Sequence, residues 1–248
     1  MAIKLENVGI AGVPLGDVML MPGMTIHIRP EYRRSREHPT CVKASLEFVS
    51  VDHNRNGAVA SFEIAATFAA DGVEFATGTT GARVVPAGTY QRMRSNSRPA
   101  SARQPGEVLS REQVGQSFDC SFTIGPEDSK GRWPLRPEPG SPTLYDHGLD
   151  HIPGMIQVEA VRQSLRAKTS SRALDFASFD ASFLKFIEPE DEAFVVLTGF
   201  AMAGSEEGTA TAEIRSGGEA SMRCIVWFKT GTAAPSAPKH RVTNPRRR

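Results

Sequence analysis

The chain has 248 residues, enough for one large hydrophobic core or two smaller joined cores, and we expect two. Lys and Arg total 29 against 28 Asp and Glu, so a net charge of +1 does not favour nucleic acid or an anionic membrane as a partner. Neither a signal peptide nor a membrane-spanning run of ~20 apolar residues stands out. Three scattered cysteines (Cys41, Cys120 and Cys224) favour a reducing, cytoplasmic setting.

The first half of the chain predicts an antiparallel sheet. Residues 40–51 alternate in part between apolar and polar side chains, residues 53–57 predict a turn, and residues 58–70 resume an extended pattern. Asp71-Gly72 is a strong hairpin signal, after which residues 73–85 predict the next strand.

Three other segments predict irregular structure. Residues 95–116 are polar and contain prolines, which predicts a linker with a short helix after Ser110. Residues 125–143 are rich in proline and glycine and predict a long loop next to a functional site. Residues 233–248 form a basic tail with little to bury, and we expect it to be disordered.

The second half repeats the order of strands and turns. The predicted strands are residues 176–187, 193–202, 209–216 and 220–229, with a turn at 204–208 and a hairpin at Gly217-Gly218. Two short similarities, of residues 28–31 to 187–190 and of residues 61–64 to 211–214, favour an internal duplication. A chance likeness between two antiparallel meanders is the alternative interpretation.

Residues 146–163, DHGLDHIPGMIQVEAVRQ, carry the chemistry. Pro153 suits the first position of a helix that we expect to run to about Lys168, and Asp150 precedes its positive end. An apolar stripe at helical spacing predicts burial against a sheet; its members are Met155, Ile156, Val158, Val161 and Leu165.

A second face of this helix carries Glu159, Arg162 and Arg166, and Gln163 follows Glu159 by four residues. This face predicts a functional site. The alternative is that Glu159 and Arg162 form only an intrahelical ion pair, which would stabilise the fold by about 0.5 kcal/mol. His147 and His151 are further candidates, with loop histidines or, for His151, a helix cap as the alternative. No cysteine or further His-Asp cluster stands at ligand spacing, so we expect no metal.

One helix wrapped by a long antiparallel sheet is the hotdog arrangement, and two such units side by side join their sheets. The segment DHGLDHIPGMIQVEAVRQ resembles the signature of the A-factor biosynthesis hotdog family, acyltransferases that make γ-butyrolactone signals. GVPLGDVMLM (12–21) and VVPAGTYQRMR (84–94) resemble the same family, so the likeness extends over most of the chain.

The resemblance implies an α+β double hotdog. Its parts would be a first unit at residues 1–94, a linker at 95–116, a second unit at 117–232 with a central helix at about 153–168, and the tail at 233–248. By that resemblance we expect the first unit to be incomplete, because the eleven residues ahead of GVPLGDVMLM are too few for an opening strand and helix. Without that helix, apolar residues of the first sheet would be exposed, so something should cover them. Three explanations are open: the start codon is assigned too late, a partner chain supplies the helix, or the first ten residues fold onto the sheet in its place.

The resemblance also implies an activity without a cofactor. A β-ketoacyl group would pass from an acyl carrier protein thioester to a hydroxyl of dihydroxyacetone phosphate, with Glu159 as general base and Arg162 on the phosphate or oxyanion. The implied substrate-binding residues are Asp146, His147, Asp150, His151 and Arg166. Whether the protein forms a homo-oligomer stays open.

The second most favoured function is that of a 3-hydroxyacyl thioester dehydratase or hydratase, because Pro153, Gly154 and Glu159 keep the spacing found in those enzymes. A degenerate binding module is a third hypothesis.

Overall fold

The computed structural model describes residues 13, 16–30, 32, 41–95, 106–115, 123–138, 141, 144, 150–171 and 173–231. The strands are β1 (Val18–Leu20), β2 (Gly23–Ile28), β3 (Val42–His53), β4 (Val59–Ala70), β5 (Val73–Val85), β6 (Arg132–Pro134), β7 (Asp175–Phe183), β8 (Ala193–Ala203), β9 (Glu207–Ser216) and β10 (Glu219–Lys229). The helices are α1 (Ala87–Met93), α2 (Arg111–Val114) and α3 (Gly154–Thr169). The predictions of a disordered tail and of roles for Asp146 and His147 fall outside the described residues.

The strands form one antiparallel sheet in the order β3-β4-β5-β2-β7-β10-β9-β8-β6, with β1 paired to β5. The two halves of the chain meet where β2 pairs with β7, between Gly23–His27 and Ser178–Ser182. Outward from this pair, the first half places β5, β4 and β3, and the second half places β10, β9 and β8. The two halves therefore have the same strand order, which supports the proposed duplication.

Both predicted hairpins form, since β4 and β5 join at Asp71-Gly72 and β9 and β10 join at Gly217-Gly218. At each of these turns the residues have positive φ, the backbone region that Gly and Asp enter most readily. One predicted strand is too long, because β7 ends at Phe183 rather than at residue 187.

Of three short elements, two were not predicted from the sequence and one was. Helix α1 follows β5 directly, and β6 lies inside the proline-rich stretch 125–143. Helix α2 is the short helix expected after Ser110, whose side chain and that of Gln113 form a reciprocal capping box.

Helix α3 lies against the sheet of the second half and organises the larger core. It begins at Gly154 with Pro153 as N-cap, and it ends at Thr169 with Ser170 as C-cap in a left-handed conformation. Ile156, Val161 and Leu165 are fully buried, as the apolar stripe predicted. Met155 does not follow the stripe, because its side chain is 42% exposed at the start of the helix.

The first half has a smaller core, formed by Val13, Val59, Phe62, Ile64 and Ala82. Among the described residues up to 95, its only helix is α1. Val42 and Leu46 on β3 are 44% and 38% exposed. Residues 1–12 lie outside the described residues. The three explanations for how the sheet of the first unit is covered, namely a late start codon, a helix from a partner chain or the first ten residues, therefore stay predictions. Within the described part of the chain, no helix has the length and apolarity to span a membrane.

Candidate active site

Glu159 and Arg162 form a two-pronged ion pair on α3. The Arg162 Nε donates to Glu159 Oε2 and Nη2 donates to Oε1, each at 2.7 Å. The side chains are only 15% and 21% exposed, so this pair is better shielded from water than a surface ion pair. The intrahelical pair that sequence reasoning offered as an alternative is therefore present, in a largely buried setting.

Neighbouring residues hold the pair in one orientation. The Gln163 Nε2 donates to Glu159 Oε1 at 2.8 Å, and its Oε1 accepts from the backbone N–H of Thr123 at 3.1 Å. The Asp175 Oδ1 lies 3.7 Å from Arg162 Nη1. Because Gln163 is fully buried, the Glu159 carboxylate is fixed between α3 and the segment at Thr123.

Arg166 is placed to hold the fold together, and its substrate-binding role stays a prediction. Its guanidinium donates to the backbone carbonyls of Leu174, Val114 and Gly115 and contacts Asp175 at 3.2 Å. With its side chain 6% exposed, these bonds join α3 to α2 and to the start of β7.

The two arginines have opposite electrostatic surroundings. Burial and, after it, the positive charge of Arg162 together lower the pKa of Arg166 to about 10. Burial also disfavours the charged form of Arg162, but attraction to Glu159 outweighs it and raises the pKa of Arg162. Arg162 is therefore the guanidinium whose charge this site stabilises.

A second group of polar side chains, the Asp150 cluster, lies ahead of α3. Its members are Tyr90, Arg94, Asp150, His151, Phe186 and Glu188. The Asp150 carboxylate accepts from Tyr90 Oη at 2.9 Å and from Arg94 Nε at 3.1 Å, and His151 Nδ1 lies 2.7 Å from Oδ1. The cluster joins the first half of the chain to the segment that leads into α3.

Arg94 connects the acidic members of this cluster. Its guanidinium binds Glu188 through Nη1 and Nη2 at 2.6 and 2.9 Å, and Nη2 also donates to the Asp150 backbone carbonyl at 2.7 Å. Phe186 lies under it, 4.4 Å from the guanidinium carbon, and contacts the His151 ring edge-on at 4.7 Å. Arg94 is 7% exposed, so nearly all of its charge is balanced inside the protein.

Burial raises the pKa of the Asp150 carboxyl, but hydrogen bonds from His151, Arg94 and Tyr90 outweigh it, and the net pKa is lowered. Burial and the bond to Asp150 together raise the pKa of Tyr90 to about 12. Asp150 is therefore held ionised and Tyr90 neutral at ordinary pH.

The structure brings the sequence-predicted residues together in two places. Glu159, Arg162 and Arg166 share one face of α3, while Asp150 and His151 lie ahead of its first turn. His151 is not the helix cap, because the N-cap residue is Pro153, for which no side-chain cap hydrogen bond is found.

Sequence reasoning missed Tyr90, Arg94, Phe186 and Glu188 as site residues. Two signals were available, because Tyr90 and Arg94 stand in the motif 84–94 and Glu188 stands in the repeated segment 187–190.

Two surface clefts are lined by other residues. One of about 650 Å³ lies at Lys168, Ser170, Phe200 and Met202, and one of about 500 Å³ lies near Arg132, Lys185 and Arg215. Neither includes Glu159, Arg162 or His151, so neither is assigned to this site. In the described ranges of the chain, no three His, Cys, Asp or Glu side chains converge as a metal site requires.

A long antiparallel sheet packed on one buried helix defines a hotdog-type α+β protein, and solved structures agree. An oleoyl thioesterase of Lactobacillus plantarum aligns with a TM-score of 0.51 at 13% identity, covering 87% of this chain and 77% of its own. A 12:0-ACP thioesterase of Umbellularia californica aligns with a TM-score of 0.50 at 9% identity, covering 87% and 74%. At such identities the likeness shows the fold alone, and the predicted fold class is confirmed.

Curated sequences give a closer relationship. A 2-oxo-3-(phosphooxy)propyl 3-oxoalkanoate synthase of Streptomyces virginiae is 27% identical over 179 residues, which are 71% of this chain and 60% of the relative. The synthase of the same name from Streptomyces coelicolor is 32% identical over 90 residues, 36% of this chain and 29% of the relative. These relatives confirm the resemblance to the A-factor biosynthesis hotdog family.

The match to these relatives is partial. The chain spans 60% of the length of the Streptomyces virginiae synthase and 51% of a Streptomyces griseus synthase, to which it is 28% identical. No protein-family model matches the chain.

Proposed function

We propose that this protein is an acyltransferase that moves a β-ketoacyl group from an acyl carrier protein thioester to a hydroxyl of dihydroxyacetone phosphate. The product named for its relatives is the ester that this transfer would form, since a 2-oxo-3-(phosphooxy)propyl group together with the ester oxygen is dihydroxyacetone phosphate without its hydroxyl hydrogen. The proposed step belongs to the formation of γ-butyrolactone signals.

The observation that carries the proposal is the buried Glu159–Arg162 pair on α3. In the proposed reaction Glu159 accepts the proton of the acceptor hydroxyl, while Arg162 binds the phosphate or the developing oxyanion. Arg162 gives two of its five N–H donors to Glu159, so a guanidinium of this geometry can keep that pair and still donate to an anion. The bonds from Arg162 and Gln163 hold the carboxylate in place, which favours a positioned base.

The direct test supplies a β-ketoacyl thioester of acyl carrier protein with dihydroxyacetone phosphate and detects the phosphorylated ester by mass spectrometry. We expect the wild-type protein to form it, and Glu159→Gln to lower the rate about 100-fold or more, the usual size of a general-base contribution. Arg162→Lys keeps the charge but loses the two-pronged bond, and we expect it also to lower the rate. Glu47→Gln, at an exposed position of β3, is the matched control and should behave as wild type.

Two results would contradict the proposal. Formation of a hydroxyacyl thioester from an enoyl thioester and water, with no phosphorylated ester, would identify a hydratase. Unchanged cellular function after both Glu159→Gln and Arg162→Lys would identify a binding module that does not use this pair. Circular dichroism of each variant verifies that the protein is folded.

A further inference from the structure

The Asp150 cluster contains a histidine in the arrangement of an acid–base residue. His151 Nδ1 lies 2.7 Å from Asp150 Oδ1, so the ring is oriented through this nitrogen and Nε2 is the nitrogen left for a ligand. Within the described residues Nε2 has no hydrogen-bond partner, and the side chain is 21% exposed. The imidazole is therefore both held in place and accessible.

The surroundings of the imidazole fix its position. Tyr90 of α1 and Arg94, which follows that helix, donate hydrogen bonds to the Asp150 carboxylate, and this carboxylate contacts Nδ1 of the ring. Arg94 is held in turn by Glu188 on its other side. Phe186 packs edge-on against the ring, so the imidazole is confined from a second direction.

The position of His151 separates it from Glu159. His151 precedes α3, and Gly154 to Glu159 alone spans about 7.5 Å of helix axis. A spacing of this size suits two groups that act on different atoms of one substrate. They can lie on either side of a thioester carbonyl carbon, one at the attacking oxygen and the other at the departing sulfur.

We propose that His151 is a second catalytic residue of the transfer, which protonates the thioester sulfur as it leaves, and this role rests on the proposed function. The acceptor oxygen forms the new C–O bond and its proton passes to Glu159. The C–S bond breaks, and the sulfur takes the proton from His151 Nε2 to leave as a thiol. Glu159 then releases a proton to water and His151 takes one up, so both residues return to their starting forms.

Leaving-group dependence tests this role. A β-ketoacyl thioester of pantetheine needs a proton on its departing sulfur more than the corresponding thiophenol ester, whose thiolate is a far weaker base. We expect His151→Gln to lose about 100-fold in kcat with the pantetheine ester and to recover most of that loss with the thiophenol ester. Glu159→Gln should stay slow with both esters, and His53→Gln, at the exposed end of β3, should match wild type.

Equal losses of His151→Gln with the two esters would overturn the proposal. His151→Asn is the second variant, and circular dichroism shows which of the two folds as wild type does. If the wild-type protein forms no ester from either thioester, the proposed function itself fails.

Asp150, Tyr90 and Arg94 act through His151 and are positioning residues in this proposal. We expect Asp150→Asn to show the same recovery with the thiophenol ester, because the imidazole loses the carboxylate that orients it. We expect the decrease to lie in kcat rather than KM. A change in stability alone, with equal kcat values for the folded protein on both esters, would leave Asp150 with a structural part only and contradict its positioning role.

Discussion

Asp150 is a residue at which contacts from three segments of the chain meet. It accepts hydrogen bonds from Tyr90 and Arg94 at the end of the first half and binds His151 ahead of α3, while Arg94 continues to Glu188 beyond β7. Because the hydrogen bonds to the carboxylate outweigh the cost of its partial burial, its ionised form is more stable in the folded protein than in the unfolded chain.

A lowered pKa of Asp150 has a defined consequence for stability in acid. The stabilising contribution is fully present above the ordinary pKa of 3.8 and is lost as the pH falls through the lower pKa of the folded protein. We expect the free energy of unfolding of Asp150→Asn to fall less steeply between about pH 4 and pH 2 than that of wild type.

Urea unfolding at a series of pH values measures this difference. Asp180→Asn, at an exposed position of β7, is the matched control and should keep the wild-type slope. Parallel slopes for wild type and Asp150→Asn would show that the carboxylate of Asp150 does not contribute to acid stability.

At the scale of elements, the start of α3 depends on a close approach to β7. A β-carbon added to Gly154 would lie 2.6 Å from Cε1 and 2.7 Å from Cζ of Phe183, closer than van der Waals contact permits. The glycine thus lets the first turn of the helix rest on the ring. This contact gives a physical reason for the Pro153-Gly154 pair that the sequence showed.

We expect Gly154→Ala to lower the free energy of unfolding by about 1–3 kcal/mol, the usual cost of overpacking, because Phe183 has to shift. Gly88→Ala in α1 is the matched control, since its added β-carbon meets only Arg92 Nη1 at 3.7 Å and alanine favours a helix. It should be neutral or stabilising. Urea unfolding measures both variants, and an unchanged midpoint for Gly154→Ala would contradict the close approach.

At the scale of the whole molecule, the β2–β7 pairing makes one sheet of two similar halves. Together with the Asp150 cluster it joins both halves, so we expect the described core to unfold in a single cooperative transition. Both tryptophans, Trp133 in β6 and Trp227 in β10, lie in the second half and report on it alone. Far-UV circular dichroism reports on both halves.

The test compares urea unfolding by tryptophan fluorescence and by circular dichroism, and we expect the two curves to coincide. Gly23→Val should separate them, because a β-carbon at Gly23 would lie 2.6 Å from the backbone carbonyl oxygen of Ala181 across the pairing. Separate transitions in the wild-type protein would mean that the halves fold independently.

The amino-acid sequence by itself determined most of the long strands, the helix α3 and the side chains that share one face of that helix. Alternation, the Asp71-Gly72 and Gly217-Gly218 turns, and the apolar stripe of α3 are local signals, since strands and helices repeat over only a few residues. The shared face of Glu159 and Arg162 follows in the same way from helical spacing, and the resemblance to the family motif made this segment the candidate site.

Only the tertiary structure decided which distant residues meet. Tyr90 and Arg94 contact Asp150 across 60 and 56 positions of chain, and Arg94 reaches Glu188 across 94. The tertiary structure also showed that Arg166, predicted to bind substrate, donates hydrogen bonds to the backbone carbonyls of Leu174 and of Val114 in α2. Such contacts depend on how the sheet folds around α3, and no periodic pattern in one dimension contains that information.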